Sequence, residues 1–336
     1  MFKETYNVIG VMSGTSLDGI DLAHIHFSIV DDKWRFKILE AETVSYNKDW
    51  LEKLKIAVDF SESELQQLNE DYTVLLANII KTFIEKNNLK KLDAVCSHGH
   101  TILHQPQNGI TLQIGNLPKI AKGIGQTVVC DFRVQDVLLG GQGAPLVPIG
   151  DQILFSEYDY CLNLGGFSNV SFEQNGNRIA FDISPVNTVL NFYANQLGLD
   201  YYKKSFPKSL GFEFVKTTVL PLIERYTMSI EDKMHTFTEH IAIQTAVALD
   251  CFETRNEKRK LLATGGGTYN DFLMERMQYH LPQLEIIIPD KKIIEFKEAL
   301  IFALLGVLKL RNEINVLSSV TGAKYDHAAG FILSGL

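Results

Sequence analysis

The sequence has few cysteines and no long apolar run. Its four cysteines lie far apart in the chain, at Cys96, Cys130, Cys161 and Cys251. Without a C-x-x-C pair, neither a cysteine zinc site nor a disulfide framework is expected. The longest apolar run, residues 299–308, is well below the roughly 20 residues that span a bilayer. Because the N-terminus also lacks a basic region followed by an apolar core, we expect a soluble, cytoplasmic protein that does not contact the membrane.

Two common nucleotide motifs are missing as well. Neither G-x-x-x-x-G-K-[ST] nor G-x-G-x-x-G occurs in the chain, which excludes the P-loop and Rossmann sites. A formal net charge of -8 argues against nucleic acid as a partner and leaves small ligands. The 336 residues, 46% of them hydrophobic, can bury a large core and favour two domains over one. No low-complexity linker and no internal repeat is visible.

The chain does contain a turn of small and hydroxyl residues between two apolar segments. Residues 8–12 and 20–27 predict buried strands, so residues 13–19 form the turn. Gly14 and Gly19 allow backbone N–H groups to converge on an anion. Asp18 would repel a phosphate unless a cation lay between them, which favours Mg²⁺. Hydroxyl donors at this turn are Ser13, Thr15 and Ser16. The alternative is a hairpin turn without a ligand.

Two further glycine turns follow apolar strands. Residues 160–164 predict a strand that ends in Gly165 and Gly166. Residues 260–263 predict another that ends in Gly265, Gly266 and Gly267. After the second turn, Asn270 or Asp271 can cap a helix that runs to about His280, and a helix N-terminus next to glycines suits an anion.

Two other segments matter for the site. Residues 63–86 carry apolar side chains at helical spacing and predict a helix packed on the core. Residues 92–97 predict a strand whose end presents His98 and His100, a spacing that would also allow a metal site. A third metal ligand is not evident.

Residues 10–21, Gly-Val-Met-Ser-Gly-Thr-Ser-Leu-Asp-Gly-Ile-Asp, resemble the signature of the anhydro-N-acetylmuramic acid kinases, members of the superfamily of actin, sugar kinases and Hsp70-like ATPases. Further similar segments follow in the family's order, at residues 97–101, 111–115, 131–133, 140–148, 163–166, 181–182, 207–211, 265–267 and 320–323. The resemblance therefore spans nearly the whole chain.

The resemblance implies a two-domain α/β protein of the actin-like ATPase, or ribonuclease H-like, fold with a central interdomain cleft. It places residues 1–130 and 318–336 in one domain and residues 131–317 in the other. A last helix over about residues 324–333 would return to the first domain. The family also implies a homodimer.

The resemblance further implies an ATP- and Mg²⁺-dependent kinase that acts on 1,6-anhydro-N-acetylmuramic acid in the recycling of peptidoglycan sugars. Asp182 would be the base that activates a water for attack on the anomeric carbon, while the freed 6-oxygen takes the γ-phosphoryl group of ATP. Arg133 and Glu298 would lie at the reacting sugar. Substrate-side positions would be His98, Gln113 and Asn187. Nucleotide positions would be Ser13, Gly14, Thr15, Ser16, Asp18, Gly19, Gly165, Gly166 and Gly265 to Gly267, with Asp18 at the metal.

Three departures leave alternatives open. The family's Asp-Thr-Gly-Pro-Gly-Asn is Asp-Ile-Ser-Pro-Val-Asn at residues 182–187, and His100 stands where Gln is common. The segment after Leu199 is shorter than in relatives, either because this loop is short or because residues are missing there. A kinase of another 1,6-anhydro sugar, such as levoglucosan, and a non-enzymatic ATP-gated conformational protein are the alternatives.

Overall fold

The computed structural model describes residues 2–14, 17–196, 213–250 and 259–335, with only the backbone of Asn195 and Asp250. By their contacts the residues form two compact units, Met1–Leu154 with Phe296–Leu336, and Phe155–Glu295. The domain limits expected from the sequence, 130/131 and 317/318, both fall inside the first unit. Among the residues described, no helix is long and apolar enough to cross a membrane.

The first unit is built on a mixed sheet. Its strands are β1 Thr5–Ser13, β2 Ile20–Val30, β3 Lys33–Val44, β4 Ala94–Gln105, β5 Ile110–Ile114, β6 Val128–Cys130 and β12 Phe331–Leu333. Their order is β12-β6-β4-β1-β2-β3, and β5 pairs with β4 beside this path. β1, β2 and β3 are antiparallel neighbours, whereas β4 runs parallel to β1 and to β6.

The second unit has a five-stranded sheet. Its strands are β7 Tyr160–Leu164, β8 Phe167–Gln174, β9 Asn177–Pro185, β10 Arg259–Thr264 and β11 Leu284–Ile287, in the order β11-β10-β7-β8-β9. Here too the first three strands are antiparallel, and the next two add in parallel on the other side of the first strand. When β5 and the edge strand β12 are left out, the first sheet has the same strand order as the second: fifth, fourth, first, second, third. The two halves are thus similar, and the expected α/β fold of the actin-like ATPase class is confirmed.

Helices cover both sheets. They are α1 Lys48–Ile56, α2 Glu62–Lys86, α3 Lys119–Ile124, α4 Val134–Leu138, α5 Val147–Leu154, α6 Asn187–Gln196, α7 Leu220–Glu224, α8 Ile230–Asp250, α9 Asp271–His280, α10 Lys291–Leu310 and α11 Ser318–Thr321. Shorter helical turns are Ala57–Asp59, Pro106–Asn108, Val215–Val219 and Gly266–Tyr269.

Two caps fix helix starts, and of these the cap at Asn270 was predicted from the sequence. Ser61 and Glu64 form a capping box, in which each side chain accepts the other residue's backbone N–H, and α2 begins there. The side chain of Asn270 accepts the N–H of Leu273 at 3.0 Å and caps α9. Both expected helices are thus confirmed, since a cap satisfies N–H groups that the first turn leaves unpaired.

Helices α2 and α10 pack on opposite faces of the first sheet. Ile9 and Val11 join the apolar cluster around α2, so Gly10, which lies between them, faces the other way. A Cβ at Gly10 would lie 1.9 Å from the Ala299 carbonyl oxygen, and one at Gly306 would lie 2.2 Å from Cys96 Sγ. Glycine at both positions lets α10 lie directly against the strands.

One predicted helix is wrong. Residues 324–333, expected to be helical, contain no helix and end in β12, which pairs antiparallel with β6. Long-range pairing with β6 decides the conformation of this short apolar segment, and periodicity within the segment cannot show such a partner.

Candidate functional site

The turn between β1 and β2 holds the first group of expected site residues, of which Thr15 and Ser16 lie outside the described residues. Leu17 has a φ of +58°, and its N–H donates to the carbonyl of Gly14 at 3.2 Å. Gly19 has a φ of +152°, and a Cβ there would lie 2.7 Å from the carbonyl oxygen of Val44. Position 19 therefore requires glycine, because the turn passes so close to the end of β3.

The hydroxyl of Ser13 is held in a buried network. Ser13 Oγ lies 2.5 Å from the Tyr46 hydroxyl and 2.8 Å from His100 Nδ1, and it accepts from the Tyr72 hydroxyl at 2.9 Å. The two tyrosine hydroxyls are 2.6 Å apart. Burial lowers the pKa of His100 to about 4, so the imidazole is neutral at pH 7. Ser13 thus anchors the end of β1 instead of offering a free hydroxyl to a ligand.

Two carboxylates, Asp18 and Asp21, lie at this turn. Burial raises the pKa of Tyr46 to about 12, and the charges of both aspartates act in the same direction. Thr43 Oγ1 donates to Asp21 at 2.5 Å. Within the described part of the chain, no three His, Cys, Asp or Glu side chains are grouped to hold a metal ion. Two carboxylates at one turn are suited to Mg²⁺, which usually keeps several waters and takes one or two carboxylates together with substrate phosphates.

His98 and His100 were expected at a strand end, and this is wrong: both are buried within β4, which continues past Gly99. His98 Nε2 accepts from Arg133 Nε at 2.8 Å, and His98 Nδ1 lies 2.9 Å from the carbonyl oxygen of Gly99. Because an arginine nitrogen always donates, the proton of His98 is on Nδ1. Burial, aided by the charge of Arg133, lowers the pKa of His98 well below its ordinary value. His98 is therefore a neutral acceptor that orients Arg133.

Arg133 lies close to an exposed carboxylate on α10. Its Nη1 donates to the carbonyl of Gly143 at 2.6 Å. Burial lowers the pKa of Arg133 to about 10, and the charge of Glu298 opposes that shift. Glu298 is exposed, whereas the preceding Lys297 is buried with its Nζ 2.7 Å from Asp151 Oδ1. The buried ion pair of Lys297 with Asp151 restrains this turn of α10, so the backbone that carries Glu298 is held in place.

A buried aspartate, Asp136, holds the loop that contacts Arg133. Its carboxylate accepts from the N–H of Gly143 at 2.6 Å and from Thr321 Oγ1 at 2.7 Å. A Cβ at Gly141 would lie 2.2 Å from Asp136 Oδ2. The carbonyl of Gly143 is thereby fixed where the guanidinium donates to it.

Gln113 lies in β5, and one of its two side-chain polar atoms forms no hydrogen bond with the residues that the structure describes. Its Nε2 donates to Thr111 Oγ1 at 2.9 Å and to Thr101 Oγ1 at 3.3 Å. Its Oε1 is buried and has no hydrogen-bond partner among the described residues. A buried acceptor without a partner is costly, so Gln113 Oε1 can take a donor from a ligand.

In the second unit, Gly165 and Gly166 form the turn from β7 to β8. Asn187, the first residue of α6, donates its backbone N–H to the carbonyl of Gly165 at 3.3 Å, and its side chain donates to the carbonyl of Leu164 at 3.4 Å. Thr188 Oγ1 donates to the carbonyl of Gly166 at 2.9 Å. The start of α6 therefore sits on this glycine turn.

The third glycine turn approaches the same strand end. Gly265 has a φ of +84°, and a Cβ there would lie 2.6 Å from Asn163 Oδ1; one at Gly267 would lie 2.8 Å from Leu164 Cβ. Gly266 opens the helical turn Gly266–Tyr269, and α9 follows. Both glycine turns of this unit thus lie at the ends of β7 and β10. Because glycine has no side chain, a ligand can approach the backbone groups of these turns closely.

Asp182 lies within β9, opposite Asn169 of β8. The strand continues past Asp182 to Pro185, and its pairing with β8 shifts register between Ser168 and Asn169. The Asp182 side chain is exposed, yet partial desolvation by the surrounding protein raises its pKa. An exposed carboxylate of raised pKa on a rigid strand can accept a proton from a bound water.

Several organising residues were missed by the sequence reasoning. Asn116 Nδ2 donates to Asp131 Oδ1 at 2.9 Å and to the carbonyl of His98 at 3.3 Å, and Asp131 has a left-handed φ of +56°. Asn116 and Asp136 each lie within three residues of a segment that resembled the family, and that proximity is the signal that could have found them.

The sequence matches the model of the family described as anhydro-N-acetylmuramic acid kinase over residues 6–199 and 191–335. A relative with this name from Mannheimia succiniciproducens is 32% identical over 378 aligned positions, which cover 99% of this chain and 99% of the relative. Another with the same name, from Bacillus cereus (strain Q1), is 34% identical and covers 94% of this chain and 96% of the relative.

The alignment with the Mannheimia protein, at 378 positions, is longer than the 336 residues of this chain. That relative therefore has segments that this chain lacks. The two matched parts of the family model overlap at residues 191–199, next to the short segment after Leu199, which lies outside the described residues together with residues 207–211. The family model and both relatives match the chain through both units. The chain therefore belongs to the anhydro-N-acetylmuramic acid kinase family and is a kinase that uses ATP.

Proposed function

We propose that this kinase opens the 1,6-anhydro ring of 1,6-anhydro-N-acetylmuramic acid with water and phosphorylates O6, giving N-acetylmuramic acid 6-phosphate and ADP. The family name of its relatives supports this substrate. A role in the recycling of peptidoglycan sugars, as a cytoplasmic homodimer, is part of the same proposal. The single observation that carries the chemistry is Asp182, an exposed carboxylate of raised pKa on β9.

In the proposed reaction, Asp182 takes a proton from a water whose oxygen bonds to the anomeric carbon. The bond from that carbon to O6 breaks, and O6 takes the γ-phosphoryl group as ADP leaves. A base with a pKa near the working pH is more effective than an ordinary aspartate, because it accepts the proton with less loss of driving force. The raised pKa of Asp182 supports this role.

Arg133 and Glu298 are proposed to bind the reacting sugar. The guanidinium is held by His98 on one side and by Gly143 on the other. Its remaining N–H groups therefore already have a fixed orientation before a ligand binds. Such preorganisation lowers the entropy cost of binding an oxygen of the sugar. His98, expected to contact the substrate, acts in this proposal through Arg133.

Gln113 and Asn187 are proposed on the substrate side. Gln113 Oε1, which has no hydrogen-bond partner in the part of the chain that the structure describes, is suited to a hydroxyl or acetamido N–H of the sugar. Asn187 donates its backbone N–H to the carbonyl of Gly165 and its side-chain amide to the carbonyl of Leu164, so the glycine turn fixes its position.

The glycine turns are proposed as nucleotide-binding segments. In the first unit these positions are Gly14, Thr15, Ser16 and Gly19, and in the second unit they are Gly165, Gly166 and Gly265 to Gly267. Backbone N–H groups at such turns bind phosphate oxygens. Mg²⁺, held by Asp18 and its waters, would neutralise charge on the transferring phosphoryl group.

A substrate panel tests the proposal. ADP formation from MgATP is measured with anhydro-N-acetylmuramic acid, levoglucosan, N-acetylmuramic acid or no sugar. We expect turnover that depends on the first compound. Preference for levoglucosan would make the protein a kinase of another anhydro sugar, and ADP formation indifferent to every sugar would favour an ATP-gated conformational protein.

A further inference from the structure

A closed group of hydroxyls lies at the base of the turn between β1 and β2. We call Ser13, Tyr46, Tyr72 and His100 the hydroxyl cluster. Its members come from the end of β1, the segment after β3, helix α2 and strand β4, and all four are buried. Four separate parts of the first unit thus converge on the residue that precedes the turn.

The number of available protons determines which group donates in each hydrogen bond of the hydroxyl cluster. The three hydroxyls are mutually bonded, and Ser13 Oγ also bonds His100 Nδ1, which makes four hydrogen bonds. Three hydroxyls supply three protons, so the fourth proton comes from Nδ1 of His100. Ser13 then donates once and accepts twice. No hydroxyl proton of Ser13 is left for a ligand, and its side chain has one orientation.

Stability alone gives little reason for this arrangement. Tyr46 and Tyr72 belong to the apolar cluster between α2 and the sheet, where phenylalanine would bury the same ring. A buried hydrogen bond contributes little net stability, but it specifies geometry, because each unmade bond would leave a buried polar group unsatisfied.

We propose that Tyr46, Tyr72 and His100 are positioning residues that hold Ser13 and so fix the main chain at the start of the turn, at Ser13 and Gly14, for MgATP. This inference rests on the proposed function, which places the nucleotide phosphates at that turn. The three residues act through Ser13 and do not touch the nucleotide.

The test is Tyr72→Phe, which opens the hydrogen-bonded ring and keeps the aromatic packing. We expect the KM for ATP and the dissociation constant of MgATP, measured by calorimetry, to rise about tenfold, the usual effect of one lost positioning bond. The KM for the sugar should change by less than about twofold. Tyr46→Phe should behave alike, and the double variant should add little, because either change opens the same ring.

A matched control is Tyr6→Phe. Tyr6 is a buried tyrosine of the same strand, β1, and its hydroxyl accepts from Arg311 at 3.3 Å. Its substitution should lower the melting temperature about as much as Tyr72→Phe and leave the affinity for MgATP unchanged.

His100 offers a second test by conservative rescue. An asparagine amide can donate from near the position of Nδ1, whereas leucine cannot, so His100→Asn should bind MgATP more tightly than His100→Leu. Wild-type affinity in Tyr72→Phe, or an equal rise in both KM values, would overturn the positioning role. Wild-type protein that binds MgATP but forms no ADP with anhydro-N-acetylmuramic acid would instead overturn the proposed function, since the calorimetric comparison needs no sugar.

Discussion

At the scale of single residues, Asp182 is the proposed base, and Asp182→Asn tests that role. The amide keeps the size of the side chain but cannot accept the proton, so sugar-dependent ADP formation should fall by about 10²- to 10⁴-fold. Ring opening, followed by chromatography of the sugar, should be lost together with it, while calorimetry shows that MgATP still binds. An active Asn variant would place the base elsewhere, with Glu298 the next candidate.

The origin of the incorporated oxygen gives a second measurement on the wild-type enzyme. In ¹⁸O-labelled water, the label should enter the sugar product at the anomeric carbon, because the activated water attacks there. Mass spectrometry of the product locates it. Label in the phosphoryl group would mean hydrolysis of ATP by water.

The pH dependence follows from the same carboxyl. Partial desolvation raises the pKa of Asp182, and a base works only when deprotonated. The value of kcat/KM should therefore fall as the pH decreases through that raised pKa, at a higher pH than an ordinary aspartate would give. A rate profile between pH 4 and pH 8 checks this, and an acid limb near the ordinary aspartate value of about 3.9 would contradict it.

Asp18 is expected to matter through the metal ion. Asp18→Asn should raise the Mg²⁺ concentration needed for half-maximal activity by about tenfold or more, because a carboxylate ligand is replaced by a weaker one. Circular dichroism should show an intact fold. Asp32→Asn, an exposed change in the turn between β2 and β3, is the control, and an equal Mg²⁺ requirement in both variants would argue against Asp18 as a ligand.

A residue pattern in the sequence indicates what kind of site a segment can form better than it indicates which distant residues contact that segment. The glycines and Asp18 of the first turn could be predicted as a group, since they are contiguous. The hydrogen bond of Ser13 with Tyr72, which lies 59 positions away, could not be predicted. The hydrogen bond between His98 and Arg133 could not be predicted either. Hydrogen bonds between distant segments depend on how the strands are ordered in the sheet, which local patterns do not contain.

At the scale of elements, the close packing of α10 on the sheet gives a prediction. Gly306→Ala would place its Cβ 2.2 Å from Cys96 Sγ and should destabilise the protein by about 1–3 kcal/mol, as overpacking does. Gly123→Ala is the control, because in helix α3 the added Cβ would meet nothing nearer than 3.4 Å; it should be neutral or stabilising by up to about 1 kcal/mol. Urea unfolding measures both, and equal free energies of unfolding would contradict the packing argument.

Elements with local signals could be predicted from the sequence. The strand at residues 160–164 and the helix capped by Asn270 agree with the structure to the residue at most ends, because turns and caps mark their limits. The helix predicted for residues 324–333 is wrong, since the strand at its end, β12, forms by pairing with the distant β6. The strand order shared by both sheets was likewise invisible, because the sequence shows no repeat and the topology is a property of pairing.

At the scale of the whole molecule, the division of the chain between the two units bears on how the protein is made. The second unit, Phe155–Glu295, is continuous, whereas the first needs Phe296–Leu336 for most of α10 and for β12. During synthesis from the N-terminus, the second unit can complete its sheet while Gly10 and Cys96 still lack the helix that covers them. Domains generally fold as units as they emerge from the ribosome, so the nascent first unit remains exposed longest, and its uncovered sheet face is where chaperones would bind.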